Sequence, residues 1–373
     1  MRRSPAEHVQ EGKIRGPGAN RLLGGRREES VMKCMVLEQF NSPLVARDRS
    51  IPVPGAADAI LKVGAAGLCR TDLKFWHGSH PAIHKLKLPV VLGHEVAGEV
   101  VEVGNEVDKD LIGKHAVIYF YLSCGQCAYC KAGSEILCGN LSGQIGFSWD
   151  GGFAEYVRVP ASSLFPVPRE IPFPQAAIVT DAIATPYRAL TRKAKVKPGE
   201  TLVLIGVGGL GIHAVQIGKV MGARVVAVDI NDKALALAKK VGADEIIQVN
   251  TGDPKQQILE LSRGGVAVVA DFVANAQSQA LGLGVLKPQG RFVSVAYAID
   301  NVLHIGTPQL VSAEIEVYGS RSCGRQDLKE TIDLLARGKV KSIIAECYPL
   351  SEINTALEKL EKGDLVGRSV VIP

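Results

Sequence analysis

Four cysteines lie close together in the first half of the chain and could bind a metal ion. They follow the pattern C-x2-C-x2-C-x7-C at Cys124, Cys127, Cys130 and Cys138. Four thiolates surround Zn²⁺ tetrahedrally in closed sites that stabilise a fold. An iron–sulfur cluster is the main alternative, but its bacterial cysteine run ends in C-x3-C-P. Here the last gap is longer and a glycine follows. The spacing therefore favours a structural zinc, with uncoordinated thiols as a further alternative.

A glycine-rich segment could hold the phosphates of a dinucleotide. Gly206, Gly208 and Gly211 form G-x-G-x-x-G between an apolar segment and a predicted helix. Such glycines allow a tight turn and close approach of the backbone to a pyrophosphate, which the helix N-terminus also binds. Asp229 ends the next predicted strand, where a carboxylate binds a ribose hydroxyl and repels a 2′-phosphate. Because residues 230–232 contain no arginine, the segment predicts NAD rather than NADP; a plain glycine turn is the alternative.

Cys69 and His94 form a second candidate metal site. They lie in the segments GLCRTD and GHE, at predicted junctions of strand and loop. A thiolate and an imidazole are one soft and one borderline ligand, a combination that suits zinc. Each residue also has an ordinary structural interpretation, as a buried thiol and as a hydrogen-bonded core histidine. The pair alone therefore leaves the presence of a second metal open.

Two kinds of architecture are predicted to position these residues. Between residues 32 and 180, short strands such as 60–63 and 95–103 are separated by Gly and Pro, which predicts a mostly β region. Between residues 181 and 318, strands alternate with helices, which predicts βαβ units and a parallel sheet. Residues 319–373 add two helices, at 326–336 and 351–361, and two strands. Residues 1–31 lack apolar periodicity and are predicted to be a flexible extension.

The composition excludes several classes of protein. The chain has 373 residues, of which 46% are hydrophobic and 22% charged, as in soluble globular proteins and unlike disordered or coiled-coil chains. It has no apolar run of membrane-spanning length and no signal-peptide pattern, so we expect a cytoplasmic protein without a membrane partner. The net charge is only +5, which argues against a nucleic-acid partner.

Five motifs occur in one order along residues 32–373: GLCRTD, GHE, the four cysteines, DGGFAEYV and GVGGLG. In this order they resemble the zinc-dependent medium-chain alcohol dehydrogenases. The resemblance implies an α/β protein. A mostly β, GroES-like catalytic domain would span residues 32–180 and be completed by 319–373. A Rossmann domain, with a doubly wound parallel sheet, would span residues 181–318. Two zinc ions per chain, NAD and a homodimer or homotetramer are implied as well.

The resemblance also implies a set of metal ligands. Cys69, His94 and Asp181 match the positions that hold the family's catalytic zinc. The third position is often Cys, so Asp181 departs from the commonest pattern, although a carboxylate oxygen is an acceptable zinc ligand. Glu95 matches a buried glutamate near the metal that could alternate as a ligand. Asp72 matches the carboxylate that orients the imidazole of His94.

Further residues match coenzyme, proton-transfer and pocket positions. Thr71 matches the hydroxyl that takes the alcohol proton. Lys74 stands where many relatives carry a relay histidine. Because the ordinary pKa of lysine is about 10.4, exit of the proton through water or a ribose hydroxyl is the alternative. Trp76, Phe120 and Tyr121 match pocket positions, with core packing as the alternative. The coenzyme contacts implied in addition to the glycine loop and Asp229 are Arg70, Thr185, Gly209, Leu210 and Arg368.

The implied function is reversible hydride transfer between an alcohol and NAD, giving an aldehyde or ketone, with zinc as the Lewis acid. One alternative is the same chemistry on a specialised small molecule: a polyol, a cyclic or acyl-CoA alcohol, or a thiol adduct of formaldehyde. The other is a non-catalytic dinucleotide-binding relative. Three compatible ligands at residues 69, 94 and 181 argue against loss of catalysis.

Overall fold

The computed structural model describes residues 30–373. Residues 1–29 of the predicted extension lie outside the described residues, and Val31 already begins the first strand. The described strands are β1 (Val31–Leu37), β2 (Val45–Ser50), β3 (Asp58–Gly67), β4 (Val90–Val91), β5 (Glu95–Val103), β6 (His115–Ile118), β7 (Tyr121–Leu122), β8 (Gly143–Gln144), β9 (Tyr156–Pro160), β10 (Leu164–Pro166), β11 (Thr201–Ile205), β12 (Arg224–Asp229), β13 (Glu245–Gln248), β14 (Val266–Asp271), β15 (Leu286–Ser294), β16 (Glu316–Gly319), β17 (Ile344–Pro349) and β18 (Arg368–Ile372).

Helices connect many of these strands. The α-helices are α1 (Arg70–Trp76), α2 (Ala128–Lys131), α3 (Phe173–Ala177), α4 (Ala184–Arg188), α5 (Gly211–Val220), α6 (Asp232–Lys240), α7 (Pro254–Ser262), α8 (Ala276–Gly284), α9 (Thr307–Ser312), α10 (Arg325–Ala336) and α11 (Ile353–Lys362). A π-helical turn, Ala189–Lys193, continues α4. Between residues 30 and 373, no helix is long and apolar enough to cross a membrane.

The predicted parallel sheet is confirmed. Six parallel strands are arranged in the order β13-β12-β11-β14-β15-β16. The central strands β11 and β14 consist almost entirely of buried aliphatic residues, because helices cover both faces of such a sheet. Strand order reverses between β11 and β14. Ligands of doubly wound sheets bind at this reversal, beyond the carboxyl ends of the strands.

The remaining strands form mostly antiparallel sheets. The largest has the order β10-β6-β5-β3-β18-β17, with β9 also paired to β3. Strand β18 pairs with β3 in an antiparallel register, so the end of the chain joins the sheet of its first half. Smaller sheets have the orders β2-β1-β4 and β7-β8. This arrangement confirms the α/β fold class with a mostly β part.

The two predicted C-terminal helices are present with shifted ends, at Arg325–Ala336 and Ile353–Lys362. The predicted strand 95–103 matches β5, whereas the strand predicted at 60–63 is the middle of the longer β3.

Candidate active site and metal centres

Helix α1 positions the first candidate ligand. Cys69 is its N-cap, and its Sγ accepts a hydrogen bond from the backbone N–H of Thr71 at 3.4 Å. Asp72 completes a capping box, because its Oδ2 accepts the backbone N–H of Cys69 at 2.8 Å. The Thr71 hydroxyl oxygen lies 3.5 Å from the Cys69 sulfur. The cap therefore fixes both the thiol and the predicted proton acceptor at the start of the helix.

Asp72 also holds the second candidate ligand. Its Oδ1 lies 3.2 Å from His94 Nδ1, and both side chains are buried. A carboxylate on Nδ1 leaves Nε2 to face the other donors. Burial opposes protonation of His94, but Asp72 and Asp181 outweigh it and raise its pKa well above the ordinary value. The imidazole therefore lies in a strongly anionic environment.

Asp181 comes from the turn before α4 and lies against the same two residues. Its Oδ2 is 3.5 Å from Cys69 Sγ and 3.9 Å from His94 Nε2. Thr185, one turn along the chain, donates its hydroxyl to Asp181 Oδ1 at 2.5 Å. Thr185, predicted beside the nicotinamide, thus orients the carboxylate in this structure.

Arg368 lies between the two buried carboxylates of the cluster. Its guanidinium donates to Asp181 Oδ2 at 2.8 Å and to Glu95 Oε2 at 3.0 Å, with a second hydrogen bond to Glu95 Oε1. Burial and the neighbouring Asp181 raise the pKa of Glu95 to about 8, although Arg368 opposes the shift. Arg368 therefore holds both carboxyl groups in place beside Cys69 and His94.

The donor atoms of Cys69, His94, Glu95 and Asp181 all lie within 4.8 Å of one another. Ligands of a tetrahedral zinc at 2.0–2.3 Å are separated by about 3.5 Å, close to the sulfur–oxygen and nitrogen–oxygen distances here. One sulfur, one nitrogen and carboxylate oxygens match the preferences of zinc rather than those of calcium or magnesium. The residues present therefore fit the zinc that the family resemblance implies.

The four-cysteine lobe, residues 124–138, forms a separate centre. Four of its six sulfur–sulfur distances are 3.5–3.9 Å, with 3.5 Å between Cys127 and Cys130 and 3.5 Å between Cys138 and Cys124, and all four sulfurs lie within 4.8 Å of one another. Zinc–sulfur distances of about 2.3 Å in a tetrahedron require sulfurs about 3.8 Å apart. The lobe turns at Gly125 and Gly133, both with positive φ. The geometry fits a closed zinc site.

The glycine loop lies at the strand-order reversal of the parallel sheet. Gly206 follows β11 with φ +86°, and a Cβ on Gly211 would lie 1.9 Å from the Gly206 carbonyl oxygen. No heavy atom lies within 4 Å of a Cβ added to Gly208, so that face of the loop is open to a phosphate. Asp229 accepts the backbone N–H groups of Val207 and Asn231, which ties it to the loop.

Comparison with known proteins agrees with this geometry. The family model for the alcohol dehydrogenase GroES-like domain matches residues 55–169, and that for zinc-binding dehydrogenase matches residues 209–337. An alcohol dehydrogenase of Geobacillus stearothermophilus is 37% identical over 341 residues, which cover 91% of this chain and 99% of the relative. The chain belongs to the zinc-binding alcohol dehydrogenases.

Two further members are similarly close. A protein of Sulfurisphaera tokodaii named NAD-dependent alcohol dehydrogenase is 35% identical and covers 92% of this chain with its full length. The crystal structure of an alcohol dehydrogenase from Aeropyrum pernix superposes with a TM-score of 0.85 at 36% identity, covering 91% of this chain and 100% of that one. The predicted family and reaction class, an alcohol dehydrogenase and thus an oxidoreductase, are confirmed.

Of the other residues predicted to contact the coenzyme, Arg368 and Leu210 lie at the glycine loop. A Cβ on Gly209 would lie 3.0 Å from Arg368 Nη1, so Arg368 reaches from the metal cluster to the glycine loop. Leu210 is the N-cap of α5, and Arg70 is exposed at the start of α1. Their contacts with a coenzyme remain predictions.

Aromatic rings surround His94. Phe120 and Phe147 lie 5.0 and 4.7 Å from its ring, and Phe75 stacks on Phe147 at 4.4 Å. The next ring, His80, stacks on Phe75 at 4.1 Å. We call the rings of Phe75, His80, Phe120 and Phe147 the aromatic pocket. Sequence reasoning found only Phe120; Phe147 lies in a loop that carries no signal of its position.

The remaining pocket predictions have different surroundings. Tyr121 is buried and its ring lies 4.5 Å from that of Phe120. Trp76 stacks on His77 and donates its indole N–H to the Ser42 carbonyl at 2.5 Å. Lys74 contacts Tyr297. The assignment of these three residues to substrate binding or proton transfer stays a prediction.

Proposed function

We propose that the chain catalyses reversible hydride transfer between an alcohol and NAD, with one zinc held by Cys69, His94 and Asp181. The observation that carries the proposal is the cluster of four buried donor groups within 4.8 Å. It is linked through Arg368 to the glycine loop. When bound, zinc supplies a Lewis acid for the alcohol oxygen and NAD accepts the hydride. A second zinc in the four-cysteine lobe stabilises the fold.

The chain's own residues do three things in this proposal. Asp72 orients His94 so that Nε2 faces the donor cluster. Thr71 holds its hydroxyl 3.5 Å from the Cys69 sulfur, where it can take the proton that the alcohol loses. Glu95 and Asp181 share Arg368, which limits their mutual repulsion in a buried site.

The aromatic pocket supports an apolar or aromatic alcohol as the substrate. Phe75, Phe120 and Phe147 offer ring faces and edges beside His94, and none of these groups can bind a second or third hydroxyl as a polar side chain would. A polyol would lose its hydrogen bonds with water there without replacement. Turnover of a purified, zinc-loaded chain with a panel of apolar, aromatic and polyol substrates tests this. Faster turnover of a polyol would contradict it.

Asp229 supports NAD over NADP, in agreement with the relative named NAD-dependent. We expect Asp229→Asn to raise the efficiency with NADP relative to NAD, because it removes the charge that repels a 2′-phosphate. Asp110→Asn, at an exposed position in the mostly β part, is the matched control and should leave the ratio unchanged. Equal use of both coenzymes by the unmodified chain would contradict the assignment.

The sheets support the predicted domain division. Strand β18 pairs with β3, which supports assigning residues 319–373 to the catalytic domain with residues 32–180. Residues 181–318 then form the dinucleotide-binding domain. A cytoplasmic location belongs to the same proposal, because all eight cysteines are free thiols, as is usual in reducing compartments. Cell fractionation tests the location.

We further propose a homo-oligomer formed through the edge of the parallel sheet. Strand β16 is the edge strand. Val302 and Val311, in the chain that leads to this strand, are 62% and 72% exposed, and an open apolar edge favours association with another sheet edge. Light scattering after gel filtration tests this. Val311→Lys should dissociate the assembly, whereas a monomeric unmodified chain would contradict it.

A further inference from the structure

Lys74 contacts a segment that follows the parallel sheet. Its Nζ donates to the Tyr297 carbonyl at 3.0 Å and lies 3.7 Å from the centroid of the Tyr297 ring. We propose that Lys74 is a positioning residue that clasps Tyr297, so that residues 295–306 cover the outer end of the aromatic pocket. The contact itself does not depend on the proposed function; only its expected effect on turnover rests on that function.

The two partners belong to different parts of the fold. Lys74 lies on α1, which the capping box of Cys69 and Asp72 fixes beside the metal cluster. Tyr297 follows β15 of the parallel sheet, in a stretch without regular secondary structure. A contact between them joins the mostly β part to the coenzyme-binding part.

The covering segment is held from its own side at two points. The Val295 N–H donates to the Asp271 carbonyl at 2.9 Å, and Asn301 Nδ2 donates to the Ala274 carbonyl at 3.0 Å. Both acceptors lie at or just beyond the end of β14. Tyr297 lies between these anchors, so Lys74 supplies the contact that draws the segment toward α1.

Tyr297 extends the aromatic pocket outward. Its ring lies 6.2 Å from the ring of His80 at a near-perpendicular angle. His80 in turn stacks on Phe75, and the series of rings ends at His94 beside the metal ligands. A substrate in the pocket would therefore have Tyr297 at its outer end, and the clasp would affect binding of bulky alcohols most.

The same contacts disfavour Lys74 as a relay base. A base must be neutral, whereas a cation over an aromatic face is stabilised in its charged form. Burial lowers the pKa of Lys74, which opposes that stabilisation. The ammonium is also engaged with Tyr297 rather than directed at Thr71 by any hydrogen bond described within residues 30–373. The geometry therefore assigns Lys74 to positioning.

Two substitutions of Lys74 distinguish its proposed contact with Tyr297, the clasp, from a role in proton transfer. Lys74→Arg keeps a cationic donor but cannot act as a base at neutral pH, and Lys74→Met removes both. Lys109→Met, at an exposed position, is the matched control. The first readout is amide hydrogen exchange of residues 295–306 in the full chain without coenzyme. We expect about tenfold faster exchange in Lys74→Met, the value of one hydrogen bond and one cation–π contact, and near-unchanged exchange in the other two.

The second readout is turnover with NAD. For a bulky aromatic alcohol, we expect Lys74→Met to change KM by a factor about ten times larger than the factor by which it changes kcat. We expect Lys74→Arg to keep the pH profile of kcat. Tyr297→Phe keeps the ring and should resemble the unmodified chain. Tyr297→Leu removes the ring but keeps the backbone carbonyl that accepts from Lys74, so it should show part of the effect of Lys74→Met.

Two results would overturn the clasp: unchanged exchange in Lys74→Met, or equal loss of kcat in the Arg and Met variants with an altered pH profile. The second result would restore the relay. If no alcohol is oxidised even by the unmodified chain, the proposed function fails, and the exchange measurement still decides the clasp.

Discussion

The four-cysteine lobe and the Cys69 cluster both consist of zinc-type ligands, yet the chain builds them in opposite ways. The lobe takes all its sulfurs from residues 124–138, which turn at two glycines with positive φ. The second cluster takes Cys69, His94 and Asp181 from three segments that are well separated along the chain. The lobe is partly exposed, whereas the second cluster is buried.

The two centres also balance their charges differently. In the lobe, the backbone N–H groups of Gln126 and Cys127 lower the pKa of Cys124 to about 6, which favours a thiolate ready for a metal. In the buried cluster, the guanidinium of Arg368 lies between two carboxylates. We therefore expect the lobe to depend on its ion for folding, and the buried cluster to depend on its counter-charge for stability and on its ion for chemistry.

The largest effect is expected from removing one sulfur of the lobe. Zinc binding supplies about 10–16 kcal/mol in isolated zinc-finger peptides, where it is also the folding free energy. We expect Cys138→Ser to lose that zinc and unfold residues 124–138 locally, because little apolar burial replaces the ion. Metal analysis and amide exchange of the lobe measure this. A fully protected lobe without zinc would contradict the distinction.

The corresponding change in the buried cluster should affect turnover rather than folding. We expect His94→Ala to reduce kcat/KM at least about a thousandfold, because a Lewis acid contributes several kcal/mol to the transition state. Zinc content should fall by one ion per chain while amide exchange of the lobe is unchanged. Steady-state kinetics and metal analysis check both, and a loss of protection in the lobe would show that the two centres are not independent.

This contrast also explains what the sequence could predict. The lobe and the glycine loop are contiguous, so residue types at fixed spacing identify them. Cys69, His94 and Asp181 required a family resemblance, because spacing alone does not bring them together. The ion pairs of Arg368 with Glu95 and Asp181 join residues 273 and 187 positions apart.

Contacts between distant segments around the aromatic pocket could not be predicted from the sequence either. Lys74 meets Tyr297 from 223 positions away, and Phe147 reaches His94 from an irregular loop. Periodicity predicts which face of an element is buried, but it does not specify which side chain of a distant loop will meet it. The parallel sheet was predictable for the opposite reason, since its strands are apolar runs at regular intervals.

Removing Arg368, the positive charge between Glu95 and Asp181, should have a smaller effect, on the stability of the fold. Arg368→Met leaves Glu95 and Asp181 buried without their cation, and removal of one partner from a buried ion pair costs about 3–5 kcal/mol. Arg337→Met is the matched control, because its ion pair with Asp333 is exposed and is worth less than about 1 kcal/mol. Urea unfolding measures both free energies. Equal losses in the two variants would refute the role of Arg368.

The smallest effect concerns the connection between the buried cluster and the glycine loop. His213 is fully buried; its Nδ1 donates to the Gly209 carbonyl at 2.9 Å, and its Nε2 accepts the Ile343 N–H at 3.0 Å. This pattern requires a neutral imidazole, and burial lowers the pKa of His213 to about 4. The Ile343 carbonyl in turn accepts a hydrogen bond from the backbone N–H of Arg368. His213 therefore joins the glycine loop to the strand that carries Arg368.

The sign of the pH effect follows from the lowered pKa of His213. Between pH 6.5 and 4 the unfolded chain gains a proton on this residue and the folded chain does not, so the fold loses up to about 3 kcal/mol as the pH falls. We expect the free energy of unfolding of His213→Asn to be about 1–3 kcal/mol lower than that of the unmodified chain at pH 7.5. This difference should shrink toward pH 4.5, because only the unmodified chain loses stability through protonation of His213 in the unfolded state. Urea unfolding at four pH values measures it, with the exposed His304→Asn as control. Any loss of zinc in acid affects the unmodified chain and both variants alike, so it cancels in the difference between their free energies of unfolding. A deficit that stays constant with pH would mean that His213 titrates equally in the folded and unfolded chain, and the buried neutral link to Arg368 would then be wrong.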